Sequence, residues 1–167
     1  MKYVKWIFVV LLISSLTSFV GIDKPTSGLN VGDKAPDFSI DANPGAQCLT
    51  LGSLQGKYVL LSFWASYDAT SRMKNASLTR AIYRLSDDVK DVKLVSVSFD
   101  EYKSVFEETA RKDGIRISDS YVDTDGEASD IFNSYALNRG FSNFLLNEDG
   151  VIIAKNIQVS ELSSYLN

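Results

Sequence analysis

The stretch from Val59 to Met73 reads Val-Leu-Leu-Ser-Phe-Trp-Ala-Ser-Tyr-Asp-Ala-Thr-Ser-Arg-Met, and it leaves the chain few ways to fold. Its apolar, aromatic first half is too short for an independent helix and suits a strand buried on both faces. From Asp68 the residues turn polar and then take up helical spacing. A strand running straight into a helix N-terminus brings unpaired backbone N–H groups and the positive dipole end to one corner. That corner suits an anion.

The remaining segments alternate in the same way. Leu78, Ala81, Ile82 and Leu85 repeat at helical spacing and predict a helix from Asp68 to about Leu85. Val92 to Phe99 is rich in β-branched residues and reads as a second buried strand. Asp100 is placed to cap a following helix, with Tyr102, Val105, Phe106 and Thr109 on its apolar face and Gly114 beyond its end. Tyr121 to Glu127 is an acidic turn. It fails as a calcium loop because Tyr121 and Phe132 would fall at ligand positions, so a solvated loop is expected. Ala128, Ile131, Phe132 and Tyr135 predict a third helix. Glu148-Asp149-Gly150 between Phe144–Asn147 and Val151–Lys155 marks a hairpin. Val159, Leu162 and Leu166 suggest a closing helix.

Charge and residue types exclude several functions. Without Met1 to Gly21 the chain carries a net charge of −6, and it has no basic cluster, so neither nucleic acid nor an anionic lipid surface is an expected partner. There is no histidine, the commonest general base and zinc ligand, and no metal or cofactor is expected. The single cysteine, Cys48, excludes an intramolecular disulfide and says nothing of compartment.

That question rests on the N-terminus. Lys2 and Lys5 precede an apolar run from Trp6 to Ile13 and a small polar stretch, the pattern of a secretory signal peptide. The 17 uncharged residues from Trp6 to Ile22 make an uncleaved membrane anchor the alternative. Residues 1–21 are therefore read as signal peptide or anchor, 22–30 as linker and 31–167 as one domain. The expected location is periplasmic or secreted, with membrane attachment only through the anchor.

Four motifs carry a family resemblance. Phe63-Trp64-Ala65-Ser66-Tyr67-Asp68-Ala69-Thr70-Ser71-Arg72 resembles the active-site segment Phe-Trp-Ala-Ser/Thr-Trp-Cys-x-x-Cys-Arg/Lys of periplasmic thiol–disulfide oxidoreductases of the TlpA/ResA type. Gly32-Asp33-Lys34-Ala35-Pro36-Asp37-Phe38 is similar to the Gly-x-x-Ala-Pro-x-Phe opening shared with peroxiredoxins, and Leu54-Gln55-Gly56-Lys57 to the turn before the central strand. Tyr135 to Gly150 resembles, without a gap, the segment that carries the family's cis-proline, and puts Phe141 at that proline. The resemblance spans the chain from about Val31. It implies an α/β thioredoxin-like fold, a central mixed β-sheet flanked by helices.

The same resemblance implies a changed site. Asp68 and Ser71 stand at the two cysteine positions, and neither exchanges with a disulfide. Asp68 suits a capping role, and Ser71 lacks a base to activate it. Phe141 is expected to follow a trans peptide, since a cis bond before a non-proline residue costs about 3 kcal/mol. No catalytic residue is therefore expected. Tyr67, Asp68, Thr70, Arg72, Arg139 and Phe141 are the residues the family comparison places around one groove. Phe63 and Trp64 read as core, and Cys48, alternating with Leu49 and Leu51, as a small buried hydrophobe. The expected function is non-catalytic binding of a protein or peptide partner in the cell envelope. The alternatives are a redox-active oxidoreductase or antioxidant role using Cys48, and a structural domain whose partner surface lies elsewhere.

Overall fold

Seven consecutive residues, Tyr58–Trp64, form strand β3, and six of them are buried, as an apolar run without polar alternation requires. The computed structural model describes residues 25–41, 48–85 and 92–166. The expected signal peptide or anchor, residues 1–21, lies outside them. Before β3 come the short antiparallel strands β1 (Ser39–Ile40) and β2 (Leu49–Thr50). After it follow helix α1 (Ala69–Leu85), β4 (Val92–Ser98), α2 (Lys103–Asp113) and β5 (Ser120–Val122). The chain closes with α3 (Asp130–Ser134), β6 (Asn143–Leu146), β7 (Ile152–Lys155) and α4 (Leu162–Leu166).

The main sheet has the order β5-β4-β3-β6-β7. β3 pairs parallel with β4, which pairs parallel with β5, while β6 pairs antiparallel with β3 and with β7. This is the thioredoxin-like fold, a central mixed sheet flanked by helices, as expected. Alternate residues of β3 feed opposite layers. Val59, Leu61 and Phe63 pack with Phe99, Ile131, Phe132, Tyr135 and Phe144 on the α3 side. On the other face Leu60 packs with Leu78, Ile82, Leu145 and Leu162, and Trp64 with Ala76, Phe106 and Ala110.

Local signals account for most boundaries. Gly114 ends α2 at φ 67°, a left-handed conformation that costs glycine little. Ser129 caps α3, its hydroxyl oxygen accepting the N–H groups of Ile131 and Phe132. The hairpin turns at Asn147–Gly150, where the Gly150 N–H donates to the Asn147 carbonyl at 3.0 Å. At the domain's start, residues 26–30 of the expected linker are fastened in place: Lys34 N–H donates to the Thr26 carbonyl and Gly28 N–H to that of Lys34. Asp33 and Ala35 then hydrogen-bond to Ile152 and Gly150 at the start of β7, along the sheet edge.

Four expectations about these elements need correction. Tyr121 and Val122, expected in a solvated loop, belong to β5, where their backbone pairs with Val97 and Ser98 of β4. Asp100 does not cap α2: the N-cap position is Tyr102, and Asp100 is buried. Tyr102 and Val105 do not reach the core; only Phe106, Thr109 and Ala110 of that helix do, because α2 starts late and turns its first residues outward. Val159 lies exposed in a short 3₁₀ turn before α4, which leaves Leu162 and Leu166 to close the core.

Candidate functional site: the corner between β3 and α1

Past Trp64 the chain leaves the sheet through Ala65, Ser66 and Tyr67. Asp68 then starts α1 by accepting the Ser71 N–H on Oδ1 at 2.6 Å, while its carbonyl accepts the Arg72 N–H at 3.0 Å. Its carboxylate thus satisfies one of the orphan donors of the first turn. The Ser71 hydroxyl donates back to the Asp68 carbonyl at 3.2 Å, and Ser71 is buried. Both side chains at this corner are engaged in holding the helix start.

The turn itself is held from the next strand. Asp100 accepts the Ser66 N–H at 3.0 Å on Oδ1, the Ser66 hydroxyl at 2.6 Å, and the Ser98 hydroxyl on Oδ2 at 2.5 Å. A carboxylate with several donors supports its own burial, so Asp100 serves the β3–α1 corner rather than α2. Beneath it, Trp64 Nε1 donates to Ser96 Oγ at 2.9 Å, and that hydroxyl donates to Asn75 Oδ1 at 3.1 Å. The buried indole N–H is thereby paired across β3, β4 and α1.

Phe141 faces this corner after a trans peptide; among the described residues no peptide is cis. Its ring stacks near Phe99 (centroids 6.1 Å, planes 22° apart) and meets Phe132 edge-on at 6.1 Å. Tyr67 lies 6.2 Å from it on the outer side. A ladder of aromatic rings therefore runs from Phe63 and Phe99 in the core through half-buried Phe141 to Tyr67, which is exposed. Such pairs contribute about 0.5–1.5 kcal/mol each beyond burial.

The expected groove residues separate into groups. Tyr67 and Phe141 touch, with Asp68 next to them at the helix cap. Thr70 is exposed on the first turn of α1, and Arg139 is exposed at the end of the 3₁₀ turn Leu137–Arg139. Arg72 turns away: its guanidinium pairs with the Asp113 carboxylate of α2, with Nη2 donating to Oδ1 at 2.8 Å. It lines a different cavity of about 520 Å³ with Met73, Arg80 and Lys112. Cys48 was expected to be buried but is exposed; it lies just before β2, which is only two residues long, and its sulfur is 2.7 Å from the Ser39 hydroxyl.

Beside Tyr67 opens a groove of about 470 Å³ that the sequence did not reveal. Phe99 and Val105 supply apolar wall, Tyr67 and Tyr102 exposed rings, and Asp100, Glu101, Asp125 and Glu127 carboxyl groups. The Tyr67 hydroxyl is pushed above its ordinary pKa, first by partial burial and then by the charges of Glu127, Asp100, Asp68 and Glu101. The groove's lining comes from three stretches, within 66–67, 99–105 and 125–128, which only the fold brings together.

Comparison with known proteins agrees with this architecture. Residues 31–155 match the model of the AhpC/TSA family. A thioredoxin-like protein from Parabacteroides distasonis is 37% identical with a TM-score of 0.73, over 85% of this chain and 98% of that one. A thiol–disulfide oxidoreductase from Bacteroides fragilis is 28% identical with a TM-score of 0.68, over 80% of this chain and 100% of that one. The thioredoxin domain of a thiol–disulfide oxidoreductase from Bacteroides vulgatus, at 21% identity and TM-score 0.71, covering 84% of this chain and 100% of its own, shows a shared fold. No curated protein sequence matches the chain. The chain belongs to the AhpC/TSA family, and its structural relatives are thioredoxin-like thiol–disulfide oxidoreductases.

Proposed function

We propose that the chain is a non-catalytic member of this family, exported to the cell envelope, which binds a peptide or protein segment at the β3–α1 corner. The observation that carries this reading is the use of the corner's own groups. Asp68, at the first cysteine position of the family motif, is a helix cap, and Ser71, at the second, is buried with its hydroxyl on backbone. Thiol exchange needs an attacking thiolate and a resolving thiol, and this corner offers neither. What it does offer is recognition: exposed aromatic surface at Tyr67 and Tyr102 beside a groove. Export is supported by the signal-like N-terminus.

The exposure of Cys48 favours one second reading, a single-cysteine redox role. It lies outside the groove lining, and no cationic partner is within its short sequence neighbourhood to favour the thiolate. A dithiol-driven insulin precipitation assay separates the two. The wild-type chain is expected to match the buffer control. Activity above it that vanishes in Cys48→Ser would replace the binding reading with the redox one. In parallel, a peptide array probed with wild type and Tyr67→Ala is expected to lose its signals in the variant, and equal patterns for both would move the partner surface elsewhere.

A further inference from the structure

We propose that the groove between Tyr67 and Tyr102 accepts a cationic peptide segment, a lysine or arginine head seated among Glu101, Asp125 and Glu127 and its stem lying on the tyrosine rings and Val105. The proposal rests on reading this corner as a peptide site and adds the chemistry of the occupant.

The lining is one-signed. It holds the carboxyl groups of Asp100, Glu101, Asp125 and Glu127 and no lysine or arginine. Lys103, next in sequence to Tyr102, lines a separate cavity with Asp41 and Tyr121. Arg72, on the first turn of α1, is drawn off by Asp113. Among the described residues, the cavity beside Arg72 has the opposite character, with Arg72, Arg80 and Lys112 around a single Asp113, while a cavity of about 350 Å³ adjoining Asp125 is acidic too, with Asp41, Asp123 and Asp130. Acidic lining is therefore concentrated around the Asp123–Glu127 turn and is not spread evenly over the surface.

Its fixed elements agree. Asp100 is pinned under the groove by Ser66 and Ser98, so its charge cannot swing away. Gly126 sits at φ 56°, and a Cβ placed there would lie 3.6 Å from Glu101 Cγ, so Glu101 packs over the Gly126 backbone. That juxtaposition brings Glu101 beside the Asp125–Glu127 turn. The N-terminus of α2 opposes a cation, but a helix end amounts to roughly half a positive charge, which several carboxylates outweigh. A chelated metal is a poorer fit, since among the described residues no three His, Cys, Asp or Glu side chains are grouped to hold one. Carboxylates spread around aromatic faces suit a long side chain with an apolar stem and a charged head.

The test is an amide-resolved NMR titration of the full-length chain with acetyl-Gly-Arg-Leu-Lys-Gly-amide. Controls are the same peptide with glutamine, and with glutamate, in place of both basic residues. The basic peptide should shift Tyr67, Glu101, Tyr102 and Glu127 and bind about tenfold more tightly than the glutamine peptide, with several-fold weakening between about 20 and about 200 mM salt. Glu101→Gln combined with Glu127→Gln should remove that preference without moving the melting temperature. Equal binding of the basic and glutamine peptides in the groove, or preference for the glutamate peptide, overturns the cationic occupant and leaves the peptide site standing. Shifts only elsewhere, or none from any peptide at millimolar concentration, overturn both.

Discussion

Asp100 shows how one side chain can decide the geometry of this corner. It lies 34 residues from Ser66 in sequence yet holds that residue's N–H and hydroxyl, together with the Ser98 hydroxyl. Replacing it by alanine would leave those donors without their acceptor in a part-buried site, at about 1–3 kcal/mol for each group left unsatisfied and less where water reaches Ser66 from the groove. Asp100→Ala is therefore expected to destabilise the protein by roughly 2–4 kcal/mol in a urea melt. Asp68→Ala, which removes one cap bond, should cost only about 1 kcal/mol. The reverse ranking would mean that the cap, and not the strand-to-strand bridge, holds the corner. Phe141 belongs to the same scale, since its ring extends the core aromatics outward to Tyr67.

At the scale of elements, the β3–α1 junction places residue 68 at the helix cap and residue 71 one turn on. The Asp68→Cys, Ser71→Cys double variant should place one thiol in the field of the α1 N-terminus and lower its pKa beneath the free value of about 8.5. A disulfide should close under mild oxidant. Thiolate absorbance against pH reads the first outcome and a thiol count after oxidation the second. A normal thiol pKa with no disulfide would show that the corner cannot host the pair. Catalysis should remain poor, because Phe141 fills the facing position with a ring after a trans peptide. Adding Phe141→Pro is expected to raise insulin reduction above that of the double variant.

At the scale of the whole molecule, two ion pairs among the described residues tie neighbouring elements together. Arg72 of α1 holds Asp113 at the end of α2, and Lys93 of β4 holds Asp119 at 2.6 Å just before β5. The Arg72 hydrogen bond holds the Asp113 carboxyl below its usual 3.8. Burial pushes Asp119 up, but hydrogen bonds from Lys93, Tyr83 and Ser118 outweigh it and leave that carboxyl lowered too. Groups depressed in the folded state add stability above their unfolded pKa and lose it as pH falls through the folded value. Stability should therefore drop on the acid side of pH 3.8. Partial exposure limits each pair to about 1 kcal/mol. Asp113→Asn should flatten part of that acid limb while changing stability little at its bottom; melting curves from pH 2 to 7 that superimpose on wild type in shape would overturn the assignment.

Much of the architecture could be read from residue order alone, because its causes are local. The mostly apolar run Val59–Trp64, interrupted only by the small Ser62, suits a doubly buried strand, Leu78 and Ile82 repeat at helical spacing, and Gly114 and Asp149-Gly150 mark stops. Each acts over a few residues. Asp68 as a helix cap is of the same kind. The partners of Asp100 and Arg72, the exposure of Cys48 and the acidic lining beside Tyr67 came only with the fold. A carboxylate reads the same in sequence whether it meets water, a buried serine or a neighbouring acid. Electrostatic and hydrogen-bond energies depend on separation in space, and in this sheet the strands that meet, β3 with β4 and β6, are far apart along the chain.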